Sequence, residues 1–91
     1  MSISNHIRNY YEQLVAEEIR RRLHDQKPPA TVDYMADVAC VALNRLPPRY
    51  IRFEVDMAFY MSPDEFVRTQ QSVQDAVTDA LAFVAQHSRA D

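Results

Sequence analysis

The stretch LNRLPPRYIR, residues 43–52, marks the point where the character of the chain changes. Pro47 disfavours helical backbone at Leu46, so a helix that arrives here must end at this point. Arg45, Arg49 and Arg52 stand within eight positions, although the 91-residue chain has a formal net charge of −3. The stretch therefore ends a helix and also concentrates positive charge.

Two helices are predicted before this stretch. Apolar residues recur at helical spacing from Ile7 to Leu23, which predicts a first helix at about residues 4–25. The prolines of the segment DQKPPAT end that helix, because proline cannot continue it. Thr31 is suited to cap a second helix, whose apolar stripe runs on to Leu46.

The residues after the prolines have a different period. Every second position carries an apolar side chain: Ile51, Phe53, Val55, Met57 and Phe59. A period of two predicts a strand or extended segment at about residues 51–58. Because the chain shows no second strand signal, this segment either lies on the helices or pairs with its copy in a partner chain.

A third long helix is predicted at about residues 63–87. Ser62 is placed to cap it, Pro63 suits its first position, and Glu65 completes a capping box. The sequence thus predicts a single domain over residues 1–91. It is mainly α, a three-helix domain with one extended or strand segment. We expect a homodimer, because a small core and an unpaired apolar strand both need cover.

Composition excludes several classes of protein. The chain has no glycine, which rules out the glycine-rich loops that bind phosphate in nucleotide-binding proteins. It has no apolar run long enough for a transmembrane helix, and MSISNHIRNYYEQL lacks the apolar core of a signal peptide. Its one cysteine, Cys40, is expected to be buried and inert. We expect a cytoplasmic protein without membrane contact, and the negative charge argues against nucleic acid as a partner.

No arrangement of residues points to catalysis. The sequence offers no Ser–His or Cys–His pairing in a suitable context, and Glu17 and Glu18 are neighbours on a helix that point in different directions. These two glutamates are instead spaced to pair with Arg21 and Arg22, respectively, near the end of the first helix. We therefore expect a protein that is not an enzyme.

Two segments resemble the late competence development protein family ComFB. They are DVACVALNRLPPRYI, residues 37–51, and NYYEQLVAEEI, residues 9–19. The resemblance implies a small, mainly helical and dimeric protein. Some members of that family hold zinc through several cysteines between the first two helices. Others are described as receptors for cyclic dinucleotide second messengers, in particular cyclic di-GMP.

The zinc site of such relatives is not expected in this chain. The connecting segment HDQKPPATVDYM contains no cysteine, and Cys40 falls inside the second helix. A structural zinc site needs four ligands, and His6, His24 and His87 are too scattered to complete one. The chain is therefore expected to carry neither a metal nor another cofactor.

The arginines of residues 43–52 are the main candidates for a ligand site. Arginine binds phosphate with two hydrogen bonds, pairs with the edge of guanine and stacks on bases. Arg45, Arg49 and Arg52 thus suit a cyclic dinucleotide, with Tyr50 as a stacking surface and Asn44 as a further contact. The alternative is structural: Arg45 and Asn44 complete the helix end, Tyr50 packs, and the other arginines are solvated.

The sequence favours a non-enzymatic regulator that binds cyclic di-GMP and acts through an unknown protein partner. The alternative is a dimeric interaction module whose arginines hold an acidic partner surface and which binds no small molecule. A DNA-associated competence factor is a third possibility, against which the acidic balance of the chain counts.

Overall fold

Three long helices form the body of the protein in the computed structural model, which describes residues 2–87. In chain order the elements are a 3-10 turn (Ile3–His6), strand β1 (Arg8–Asn9), helix α1 (Tyr11–Leu23), helix α2 (Val32–Asn44), strand β2 (Tyr50–Ile51), helix α3 (Val55–Tyr60) and helix α4 (Pro63–Gln86). The prediction of a mainly α fold is confirmed. None of these helices has the length and apolar character needed to cross a bilayer.

The predicted limits of α2 and the predicted start of α4 are confirmed. The Thr31 hydroxyl accepts a hydrogen bond from the Tyr34 amide at 3.0 Å and caps α2. The Ser62 hydroxyl accepts from the Glu65 amide at 3.2 Å, and the Glu65 carboxylate completes the capping box of α4. α2 ends at Asn44, shortly before the two prolines, as expected for a chain that cannot remain helical there.

The first helix begins at Tyr11, so the prediction of a start near residue 4 was wrong. The Asn9 side-chain oxygen accepts a hydrogen bond from the Tyr11 amide at 3.2 Å. Residues 8–9 before it are extended and pair with β2 in antiparallel register, Arg8 opposite Ile51 and Asn9 opposite Tyr50. Their backbone groups are therefore satisfied by the strand pairing instead of by a longer helix.

The predicted strand at residues 51–58 was largely wrong. β2 covers only Tyr50–Ile51, and its partner is β1 of the same chain, so this strand does not need a copy in a partner chain. Helical turns begin directly afterwards, where the amides of Asp56 and Met57 donate to the carbonyls of Phe53 and Glu54 at 3.1 Å. The strand ends because β1 offers it only two residues to pair with.

The hydrophobic core lies where α1, α2 and α4 pack against one another. Its four largest fully buried side chains come from all three helices: Val15, Ile19, Val38 and Val77. Full burial of such a side chain stabilises the fold by about 1.5–3 kcal/mol relative to exposure. Met57 is the only buried residue of α3. α3 thus lies at the margin of the core.

Arg22, held by Glu18, links the end of α1 to α4. The Glu18 carboxylate accepts hydrogen bonds from Arg21 and Arg22, both at 2.6 Å, and Arg22 also donates to the Thr78 hydroxyl at 2.8 Å. The hydrogen bond from Arg21 is the main reason why the pKa of Glu18 is below its ordinary value, and burial opposes this shift. The predicted pair of Glu18 with Arg22 is confirmed. Arg21 also forms its ion pair with Glu18, so the predicted pair of Arg21 with Glu17 was wrong.

Cys40 is exposed on α2, so the prediction of a buried thiol was wrong. The buried residues of α2 are Val38 and Ala42, each two positions away. Two positions correspond to about 200° around an α-helix, so Cys40 faces away from the core.

Candidate functional site

The predicted site residues lie at residues 44–52, which comprise the last residue of α2 and the segment after it and are called the arginine loop below. Arg45 is the C-cap of α2, and its backbone amide donates to the carbonyls of Ala42 and Leu43. Leu46 is buried and joins the core cluster, whereas Pro47 and Pro48 are exposed. The loop is thus fixed at its start by a helix end and an apolar anchor.

Asn9 fixes the middle of the arginine loop. Its side-chain oxygen accepts from the Arg49 amide at 3.2 Å, in addition to the Tyr11 amide at the start of α1. The Tyr10 amide donates to the Arg49 carbonyl at 2.7 Å. The β1–β2 pairing follows immediately. One asparagine therefore holds together the two segments that carried the resemblance, residues 9–19 and 37–51.

Two of the three arginines rest on different aromatic rings. The guanidinium carbon of Arg45 lies 5.7 Å from the centre of the Phe83 ring on α4. The guanidinium carbon of Arg52 lies 5.1 Å from the centre of the Phe53 ring. Both distances fit cation–π contacts, and both arginines are exposed. The fold thus orients Arg45 toward α4 and Arg52 toward the segment before α3.

Arg49 lies between these two and is half-buried. Burial raises the pKa of the Tyr10 hydroxyl, and the neighbouring Tyr11 raises it further. The positive charge of Arg49 acts in the opposite direction and lowers this pKa. The backbone contacts with Asn9 and Tyr10 and this charge effect place Arg49 beside the start of α1.

Tyr50 and Asn44 occupy different situations. The Tyr50 side chain is 65 % exposed, which leaves its ring accessible for stacking. The Asn44 amide instead donates to the Cys40 carbonyl at 2.9 Å, within its own helix. That hydrogen bond agrees with the structural alternative for Asn44, in which the residue completes the end of α2.

The three loop arginines, like Arg20 and Arg68 and unlike Arg8, Arg21 and Arg22, have no carboxylate partner within residues 2–87. Arg8 pairs with Glu54 at 3.0 Å, and Arg21 and Arg22 pair with Glu18. Within residues 2–87, neither Arg45, Arg49 nor Arg52 forms an ion pair with a carboxylate. The arginine loop therefore presents uncompensated positive charge to an anion.

Phe83 and Asn9 were not identified from the sequence as part of this region. The Arg45 guanidinium lies over the Phe83 ring, and the His87 ring stacks on the Phe83 ring with the ring centres 4.2 Å apart. Phe83 gives no signal before the tertiary fold is known, since α4 alone does not show what lies opposite it. Asn9 did offer one, because asparagine is a favoured helix cap: Tyr10 already has helical φ and ψ, and the Asn9 oxygen accepts from the amide two residues on, as a cap does.

A groove of about 520 Å³ lies beside the β1–β2 pair. It is called the hairpin groove below, although β1 and β2 are joined through α1 and α2 and not by a short turn. None of the predicted site residues lines it. Across the described part of the chain, no three potential metal ligands come together as a group that could hold an ion. The arginine loop and the hairpin groove are thus neighbouring candidate surfaces that share Ile51 but none of the predicted site residues.

Comparison with known proteins shows the family of this chain. The family model described as Late competence development protein ComFB matches residues 8–88, which is most of the chain. This range includes both the Asn9 contact and the arginine loop. The comparison with curated proteins gave no match. On the family match, the chain belongs to the ComFB family.

Proposed function

We propose that this protein is a non-enzymatic regulator that binds a cyclic dinucleotide, cyclic di-GMP, through the arginine loop and acts through a protein partner. One observation carries the proposal: three arginines that form no ion pair with a carboxylate within residues 2–87 stand on one short loop of an acidic chain. Membership of the ComFB family agrees with it.

The chemistry of the loop suits this ligand. Cyclic di-GMP carries two phosphates and two guanine bases. Arg45 and Arg49 would bind phosphate oxygens or the guanine edge, and Arg52 would do so from the far end of the loop. The exposed ring of Tyr50 offers a surface on which a base can stack. Asn9 and the prolines already order the loop, which lowers the entropy cost of binding.

The proposal includes a homodimer. Large apolar side chains that are at least half exposed cluster along one stretch of the chain: Phe53, Val55, Phe59, Tyr60 and Val67. A second copy would remove them from water. A ligand with a two-fold axis, placed on the dimer axis, would meet the same arginines twice. Light scattering at micromolar concentration measures the oligomeric state, and the mass of a monomer would contradict the homodimer.

Thermal-shift measurements test the ligand proposal. A ligand that binds only the folded state raises the melting temperature by mass action. We expect cyclic di-GMP to do so for the parent protein and to lose this effect in Arg45→Ala and Arg49→Ala. Arg20→Ala is the matched control, because Arg20 is exposed on α1 and lies outside the loop. Linear pGpG tests whether the closed sugar–phosphate ring is needed, and cyclic di-AMP tests whether guanine is needed.

A second candidate function is an interaction module without a small-molecule ligand. The exposed apolar stretch favours it, because clustered apolar surface of this kind is typical of protein contacts. In that case the loop arginines would hold an acidic partner surface. A parent protein whose melting temperature is unchanged by saturating cyclic dinucleotides would favour this function over the first.

A further inference from the structure

The hairpin groove has an apolar floor. Its apolar lining comes from four elements: Leu14 of α1, Ile51 of β2, Met57 and Ala58 of α3, and Phe66 of α4. Met57 is buried, Leu14 and Ile51 are half-buried, and Ala58 is exposed. A volume of about 520 Å³ is enough to take several apolar side chains of a bound molecule.

The groove continues along α1. A second depression of about 300 Å³ shares Leu14 and Glu17 with it and is lined further by Gln70, Val73 and Gln74 of α4. Together the two run between α1 and α4 from Glu12 to Arg21. These ten residues of helix span about 13.5 Å from the first to the last, or two to three helical turns. The combined shape is thus elongated.

The edge of the hairpin groove is acidic. Glu12, Glu17 and Glu54 line it with a single cation, Arg8, which is already paired with Glu54 at 3.0 Å. Within residues 2–87, Glu12 and Glu17 form no ion pair. Two exposed carboxylates thus flank an apolar floor, which disfavours phosphate ligands and acidic peptides.

We propose that the hairpin groove binds an amphipathic helix of a partner protein. That helix presents apolar side chains at i, i+3 or i+4, and i+7 to the floor, and lysines or arginines to the edge formed by Glu12 and Glu17. Charge complementarity selects the basic flanks, and the elongated shape selects the helix. None of the residues proposed to bind the cyclic dinucleotide lines this surface, so the inference does not depend on the ligand proposal.

Neither α1 nor α3 of a second copy of the chain fits the groove well. α1 has basic residues in its last turn, but its apolar face is buried in the core. α3 exposes apolar side chains, but segment 53–60 contains Glu54 and Asp56 and no cation. Placing it in the groove of another copy would bring carboxylates together.

Selection from a displayed library of helical peptides tests the proposal. Panned on the parent protein, the library should yield a family with apolar residues at helical spacing and Lys or Arg on both flanks. A synthetic peptide of that family should bind the parent and lose at least about tenfold in affinity for Ala58→Glu, which places a charge on the floor. Ala82→Glu, at an exposed α4 position outside the groove, is the control.

Charge reversal gives a second, sharper readout. The double variant Glu12→Lys/Glu17→Lys should select peptides with acidic instead of basic flanks. Its control is Asp33→Lys/Asp79→Lys: Asp33 occupies the first turn of α2 as Glu12 does in α1, and Asp79 is exposed on α4. Circular dichroism verifies that the variants are folded, and hydrogen exchange of the parent should show protection of α1 and α3 by the peptide.

Several outcomes would overturn the proposal. One is a library without an enriched apolar–basic family. Another is a selected peptide that binds Ala58→Glu as tightly as the parent or protects neither α1 nor α3. A selected peptide that converts a dimeric parent protein to a monomer would show that the groove is instead a contact between copies of this chain.

Discussion

Replacing Asn9 by alanine should destabilise the protein and release the arginine loop. The side-chain oxygen of Asn9 accepts two hydrogen bonds, from the amides of Tyr11 and Arg49, both at 3.2 Å. Loss of a helix cap costs about 0.5–2 kcal/mol, and loss of a further hydrogen bond about 0.5–1.5 kcal/mol. Because both are partly buried, we expect Asn9→Ala to lower the free energy of unfolding by about 1–3 kcal/mol.

Urea unfolding with linear extrapolation measures this free energy, provided that the slope is unchanged. Asn9→Asp keeps the acceptor and adds a negative charge at the start of α1, so it should stay within about 0.5 kcal/mol of the parent. Asn5→Ala is the control for an exposed asparagine, with an expected change below about 0.5 kcal/mol.

Hydrogen exchange at the Arg49 amide separates the two effects of Asn9. In the parent this amide is bonded to the Asn9 side chain and should exchange slowly. In Asn9→Ala it should exchange faster even under conditions where the protein is fully folded. Equal stability of Asn9→Ala and Asn5→Ala, together with unchanged exchange at Arg49, would refute the role given to Asn9.

Further predictions concern the three-helix body. Arg22→Ala removes the hydrogen bonds that Arg22 makes with Glu18 and with Thr78 of α4, and should lower the free energy of unfolding in urea by about 1–3 kcal/mol. Arg20→Ala, at an exposed position, should lower it by less than about 0.5 kcal/mol. The pKa of Glu18 is lowered in the folded state, so its contribution is present above the ordinary value of 4.5 and is lost as the pH falls through the lowered folded value. Glu18→Gln should therefore flatten the acid side of the stability-versus-pH curve, and an unchanged curve would contradict this assignment. Ile19→Ala should cost about 2–5 kcal/mol because Ile19 is fully enclosed in the core, and thermal unfolding should show almost no change for exposed Ile3→Ala.

The long helices were predictable because their signals are local. Thr31, Ser62 and Pro63 mark helix starts through contacts within one turn, and Pro47 excludes helix at the residue before it. Such contacts depend little on the rest of the fold. The predictions for α2 and α4 were accurate for this reason.

The segment after the prolines was mispredicted because its outcome depends on a distant part of the chain. β2 pairs with Arg8–Asn9, about 40 positions earlier, and a two-residue strand leaves no periodic pattern to detect. Only Met57 of the alternating apolar residues became buried, so the period of two did not reflect a buried sheet face. Short apolar runs are ambiguous between helix and strand for this reason.

The candidate site was predictable in its charges but not in its geometry. The spacing of Arg45, Arg49 and Arg52 is visible in the sequence. The aromatic contacts are not: Arg45 lies over Phe83 on α4, which is distant in sequence, and Arg52 lies over the adjacent Phe53. The hairpin groove combines residues from five elements, β1, α1, β2, α3 and α4, and has no signature in any of them. Surfaces of this kind exist only once the helices have packed.

Titration calorimetry of cyclic di-GMP into the parent protein, Arg49→Ala and Arg20→Ala tests the central proposal most directly. Arg49 is held in place by its backbone, so removing its side chain should leave the loop intact. The account predicts binding by the parent at one ligand per two chains, about 10- to 150-fold weaker binding by Arg49→Ala, and unchanged binding by Arg20→Ala. No binding by the parent, or equal weakening in both variants, would contradict a site at the arginine loop.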